Sequence, residues 1–182
     1  KGSIRISTAV GLLIVLLLLS LLVVVSLPPQ SRGLCLALAI LALPPILLYP
    51  SAKRWFAYPQ AVLALCWGFA VLIPWAASQA NLNGGWPLLG CWLATLMWTF
   101  GFDTVYAMAD RRDDANLALK SSALSLGSHA LKTVAFSYAL ACTFLASAAM
   151  SAGVGWAFWP FWLIASIAAP VLSGRSDAPT KA

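Results

Sequence analysis

Six apolar runs, separated by short polar breaks, leave this chain few ways to fold. They cover about 7–27, 33–49, 59–78, 86–108, 129–150 and 155–173. A helix rises about 1.5 Å per residue, so runs of about twenty residues cross a hydrocarbon core of roughly 30 Å. Only 9% of the residues are charged and 62% are hydrophobic. A soluble domain carries roughly 25% charged residues. A soluble fold of 182 residues would need far more polar surface than this chain has. The expected architecture is an all-α, polytopic transmembrane helical bundle of six spans, one domain over residues 1–182, embedded in a lipid bilayer. Pro44-Pro45 is expected to kink or break the second run, because each proline removes a backbone donor.

The charges sort the loops. Lys1 and Arg5 precede the first run, and Lys53 and Arg54 follow the second. Arg111, Arg112, Lys120 and Lys132 lie around the long 109–132 region, and Arg175 and Lys181 fall in the tail. With six spans these ten lie on one side and Arg32 alone on the other, a positive-inside pattern. Both termini and the 109–132 region are expected to face the cytoplasm from an inner or plasma membrane. The net charge of +6 does not point to nucleic acid, because the basic residues are spread over short loops rather than gathered on one helix or stripe. Cys35, Cys66, Cys91 and Cys142 sit singly inside apolar runs and read as small buried hydrophobes. The first run is too long for a signal-peptide core.

Against this background the acids stand out. Four of the five, Asp103, Asp110, Asp113 and Asp114, fall within twelve positions, and there is no glutamate. Charge beside hydrocarbon is costly and marks a functional site by default. If the fourth helix runs on through 114, Asp103, Asp110 and Asp114 fall on one stripe, and Asp110 and Asp114 are neighbours one turn apart. A divalent cation would relieve their repulsion. Mg²⁺ suits oxygen ligands of one or two carboxylates with waters and substrate phosphates; no cysteine or histidine lies close by to suggest zinc. A solvated loop whose acids pair with Arg111, Arg112 and Lys120 is the competing reading. It leaves Asp103 unexplained, two turns inside an apolar helix with Tyr106 on the same side.

A second polar stretch, Tyr49-Pro50-Ser51-Ala52-Lys53-Arg54-Trp55, lies on the same expected membrane face. Lysine offers a point charge and arginine a planar fork to a diphosphate. Such residues also serve as interfacial anchors. Lys120-Ser121-Ser122 is a further stretch able to reach phosphate.

The segment Phe102-Asp103-Thr104-Val105-Tyr106-Ala107-Met108-Ala109-Asp110-Arg111-Arg112-Asp113-Asp114, continuing through Leu119-Lys120-Ser121-Ser122-Ala123, resembles the second aspartate-rich motif of the UbiA family of membrane prenyltransferases. Tyr49-x-x-x-Lys53-Arg54 followed by Pro59-Gln60 is similar to that family's other cytoplasmic motif, and the two occur in the family's order. The match is nearest the subgroup that prenylates 4-hydroxybenzoate for ubiquinone or plastoquinone. The resemblance implies nine helices around a cavity and Mg²⁺ held on a polyprenyl diphosphate, whose allylic carbon alkylates the aromatic ring. It implies Asp110 and Asp114 as metal ligands, with Asp103 in the catalytic group. Tyr49, Lys53, Arg54, Tyr106, Arg111 and Lys120 would meet the substrate. The family's first aspartate motif is absent, and the chain begins at Lys1 rather than methionine. It is therefore expected to be a piece of a longer protein, six spans of nine, inactive alone. Transfer to homogentisate, chlorophyllide or haem, an ion-transporting subunit and a scaffold are the alternatives.

Overall fold

The computed structural model describes the backbone of residues 5–175 and the side chains of residues 5–168. Lys1 and Lys181, used above, lie outside the described residues, as does the side chain of Arg175. The long helices are α1 (Ile6–Ser26), α2 (Pro29–Trp55), α3 (Pro59–Gln79), α4 (Gly85–Ala109), α7 (Ala130–Ser151) and α8 (Phe158–Arg175). Between α4 and α7 come two short helices, α5 (Arg111–Asn116) and α6 (Ser122–Leu126), and a 3₁₀ turn at Gly127–His129. The described residues are helical throughout apart from short connections, with no strand among them.

Five stretches are long and apolar enough to cross a membrane: α1, α2, α3, α4 and the Ser122–Ser151 stretch that contains α7. The sixth expected span falls on α8, where the described apolar part is shorter, Phe158–Ala168. The long helices pack in chain order: α2 on α3, α3 on α4, α4 on α7 and α7 on α8. Short connections make this the natural outcome.

Pro44 and Pro45 do not break α2. It continues through them and through Pro50 to Trp55. Each proline removes one ladder bond, and packing against α3 carries the helix past the gap. The second polar stretch therefore lies on the last turns of a helix, and the connection to α3 is only Phe56, Ala57 and Tyr58. Pro59 then starts α3, at the position where a missing N–H costs nothing.

Helix contacts rest on small residues. A Cβ added at Gly90 on α4 would stand 2.9 Å from Ala148 Cβ and 3.1 Å from the Phe144 carbonyl on α7. Gly101 faces Ser137 and Tyr138 in the same interface. Close backbone approach of this kind replaces the hydrophobic drive that is missing in lipid. Helix α1 differs. It has no buried residue and touches the bundle near its end, where Val24 and Leu27 pack on the Cys35, Leu38 and Ala76 cluster of α2 and α3. There Arg32 donates to the carbonyl of Leu27 at 3.0 Å, closing the last turn of α1.

Candidate active site

The C-terminal ends of α2 and α4 lie at one end of the bundle and bring together two parts of the sequence about sixty residues apart. Tyr49 and Lys53 are one turn apart on α2, so they share a face. The Tyr49 hydroxyl donates to Asp103 Oδ2 at 3.4 Å. Lys53 Nζ donates to both carboxylate oxygens of Asp114, at 3.0 and 3.2 Å. Asp114 is only 4% exposed. A carboxylate so enclosed is tolerable only with a charged partner, and Lys53 provides it.

The single acidic stripe does not form. It required α4 to run unbroken to 114, but α4 ends at Ala109, and Asp110, at φ −85° and ψ 2°, is the joint between α4 and α5. The Asp110 N–H still donates to Tyr106 O and the Asp114 N–H to Asp110 O at 2.9 Å, so Asp110 and Asp114 remain one turn apart along the backbone. Their surroundings diverge: Asp110 is exposed, Asp103 half-buried and Asp114 buried.

The basic candidates are placed as follows. Arg111 Nη2 donates to the carbonyls of Ala123 and Gly127, tying the start of α5 to α6 and to the 3₁₀ turn that follows it. Lys120 Nζ donates to the Trp55 carbonyl at 3.0 Å. Arg54 is exposed. Tyr106 is exposed too, with its ring edge-on to Phe102 at 4.9 Å.

A closed circuit of hydrogen bonds surrounds Asp114. The Lys53 ammonium holds its carboxylate. The Lys53 carbonyl accepts from Lys120 N–H at 2.7 Å, and the neighbouring Leu119 N–H returns to the Asp114 carbonyl at 2.8 Å. That last bond, with Ala118 N–H on Ala115 O, makes a Schellman end to α5. Ala118 takes the left-handed position, φ 52°, where glycine is usual.

Beneath the circuit is a buried polar group; from the sequence, Ser122 reads only as part of a stretch able to reach phosphate and Gln60 only as part of a motif, and Thr104 is given no role. Gln60 Oε1 accepts from Ser122 N–H at 2.9 Å. The hydroxyls of Ser122 and Thr104 are 2.8 Å apart, and Thr104 Oγ1 donates to the Phe100 carbonyl at 2.7 Å. Thr104 has one proton, so Ser122 is the donor between them. Gln60, Thr104 and Ser122 are 2%, 0% and 0% exposed. The available signal was Gln60 itself, a polar residue directly after the proline that opens an apolar run.

Trp98, Phe102 and Tyr106 recur at one-turn spacing on α4, and Trp98 reaches an apolar cavity of about 310 Å³ between α4, α7 and α8, lined also by Thr95, Cys91 and Cys142. The donors at the acidic end are oxygen only. Among the described residues no three acids, histidines or cysteines gather closely enough to form a metal cage. Exposed Asp110 is open to a cation that completes its shell with water and phosphate, as Mg²⁺ does, whereas both oxygens of Asp114 are engaged by Lys53 and could share such an ion only by loosening one of those bonds.

The model of the UbiA prenyltransferase family matches residues 1–176. A protein of Synechocystis sp. named 4-hydroxybenzoate solanesyltransferase is 44% identical over 139 residues, which is 76% of this chain and 45% of that protein. A 4-hydroxybenzoate octaprenyltransferase of Burkholderia mallei is 31% identical over 167 residues, 91% of this chain and 56% of its own length. One of Burkholderia vietnamiensis is 33% identical over 166 residues, again 91% of this chain and 55% of the relative. The chain thus spans about half the length of the curated relatives it matches. No solved structure matches it significantly.

Proposed function

The chain belongs to the UbiA prenyltransferase family, and from that premise we propose that it supplies the diphosphate-binding end of a polyprenyltransferase acting on the ring of 4-hydroxybenzoate, in ubiquinone or plastoquinone synthesis. The names of its relatives support this choice of acceptor. The supporting observation within the molecule is the pairing of Tyr49 and Lys53 with Asp103 and Asp114 across two helices. It places cationic and hydroxyl donors beside carboxylates, the mixture a metal-bound diphosphate needs.

In this reading Asp110 and Asp114 hold Mg²⁺. When bound, that ion supplies Lewis-acid charge to the leaving diphosphate. Lys53 has three N–H donors and gives two to Asp114, so one remains for a phosphate oxygen. Tyr49 is oriented by Asp103, to which it gives its one hydroxyl proton in the hydrogen bond, and would have to turn that donor to reach a phosphate oxygen. The exposed faces of Phe102 and Tyr106 and the cavity at Trp98 take the isoprenoid chain and keep water from the allylic carbon. The carbon–oxygen bond to the diphosphate breaks, a carbon–carbon bond forms to the ring, and the ring carbon loses its proton. The acidic end faces the cytoplasm.

The test uses the full reading frame that carries this chain, in membranes supplied with octaprenyl diphosphate and 4-hydroxybenzoate. Asp114→Asn and Asp110→Asn each abolish Mg²⁺-dependent transfer while the protein remains folded. Wild-type turnover in either variant overturns the reading.

A further inference from the structure

Three deeply buried polar side chains sit where α3, α4 and α6 meet, and none of them is needed to fill an apolar core. We propose that Gln60, Thr104 and Ser122 form a positioning latch that sets the Asp114 carboxylate for its cation. The proposal rests on the prenyl-transfer reading above and adds residues to it.

The chain of cause runs through named bonds. Gln60 is the largest of the most deeply buried side chains. Its Oε1 caps the first amide of α6, an otherwise orphaned donor. The Ser122 hydroxyl donates to Thr104 Oγ1, which donates in turn to Phe100 O on α4. One short segment is thereby fixed to α3 and α4 at once. Two residues upstream, Lys120 N–H grips the Lys53 carbonyl, and Leu119 N–H grips the Asp114 carbonyl. The Lys53 ammonium closes the loop on the Asp114 carboxylate. Moving Ser122 therefore moves both Asp114 and its counter-ion.

Apolar residues of equal volume would pack α6 against α3 as well, but they would let it slide. Burying an amide and two hydroxyls costs free energy unless each is bonded. The directional bonds return what apolar contact cannot, a single register for the acidic segment. The strained left-handed Ala118 lies inside the same circuit, as expected where surrounding structure dictates the backbone. Groups that orient metal ligands without touching the metal typically change affinity about 10–100-fold when removed.

The experiment measures Mn²⁺ binding, as a spin probe for Mg²⁺, to the full-length protein in detergent by electron paramagnetic resonance, with transfer assayed alongside. Gln60→Leu and Thr104→Val are expected to weaken Mn²⁺ binding about 10-fold or more. Thr104→Ser keeps the hydroxyl and is expected near wild type. The Michaelis constant for 4-hydroxybenzoate stays unchanged in all three. Should Gln60→Leu fail to fold, the Thr104→Val and Thr104→Ser pair decides. Wild-type Mn²⁺ affinity in Thr104→Val, or equal loss in Thr104→Ser, overturns the latch. If the wild-type protein binds no Mn²⁺ and transfers no prenyl group, the prenyl-transfer reading itself fails, which is a separate result.

Discussion

Asp114 is the buried charge among the described residues, and the partly exposed Lys53 answers it. With Asp114 at 4% exposure, removing its partner leaves a carboxylate that neither water nor protein solvates. Lys53→Met is expected to destabilise the protein by about 1–3 kcal/mol, the cost of an unsatisfied buried group. Adding Asp114→Asn should recover most of that loss, because the pair and not either residue alone carries the energy. Chemical unfolding in micelles across the double-mutant cycle checks this; additive losses would contradict it. The residue scale is also where sequence reasoning was most uneven. The reactive types at 49, 53, 103, 110 and 114 are legible because charge is rare in an apolar chain. Arg111 and Lys120 look the same in sequence, yet both spend side-chain donors on backbone carbonyls. Which carbonyls lie within reach is a property of the folded loop.

Helices were easier to read than their ends. Hydropathy drew the long runs closely, since every backbone polar group in lipid must be bonded within its own helix. It drew α2 too short, because prolines and polar residues ended the run at 49, whereas the helix continues to Trp55. It drew α4 closely, at 86–108 against Gly85–Ala109; only the supposition that the helix runs on to 114 failed, because no helix breaker separates Ala109 from Asp110. The glycines allow a sharper test. Gly33 on α2 has open space around it, while Gly90 stands against Ala148. Gly33→Ala is expected to be neutral or stabilising by up to about 1 kcal/mol, through helix propensity. Gly90→Leu is expected to destabilise by about 1–3 kcal/mol, as overpacking does. Thermal melts in detergent separate the two, and matching midpoints would show that α4 and α7 do not meet at Gly90.

At the scale of the whole molecule the chain is an integral multi-pass membrane protein, and among the described residues the acids and most of the cations gather at one end of the bundle. The expected arrangement puts that end in the cytoplasm. In a background with Cys35, Cys66, Cys91 and Cys142 replaced, Arg112→Cys and Asn83→Cys mark opposite ends of α4. A membrane-impermeant maleimide added outside intact cells should label Asn83→Cys alone. Labelling of both positions, or of Arg112→Cys alone, would reverse or remove the assigned orientation.

Sequence alone determined that this chain is a helical membrane bundle, that reactive groups cluster at 49–54 and 103–120, and which family it resembles. Those conclusions follow from local quantities, because hydropathy adds along a run and a motif is a matter of spacing. Tertiary structure decided that Asp114 is enclosed, that Lys53 answers it, and that Gln60, Thr104 and Ser122 are buried and bonded together nearby. A hydrogen bond holds only within a few tenths of an ångström, and the packing of α2, α3 and α4 sets that distance across residues about sixty positions apart.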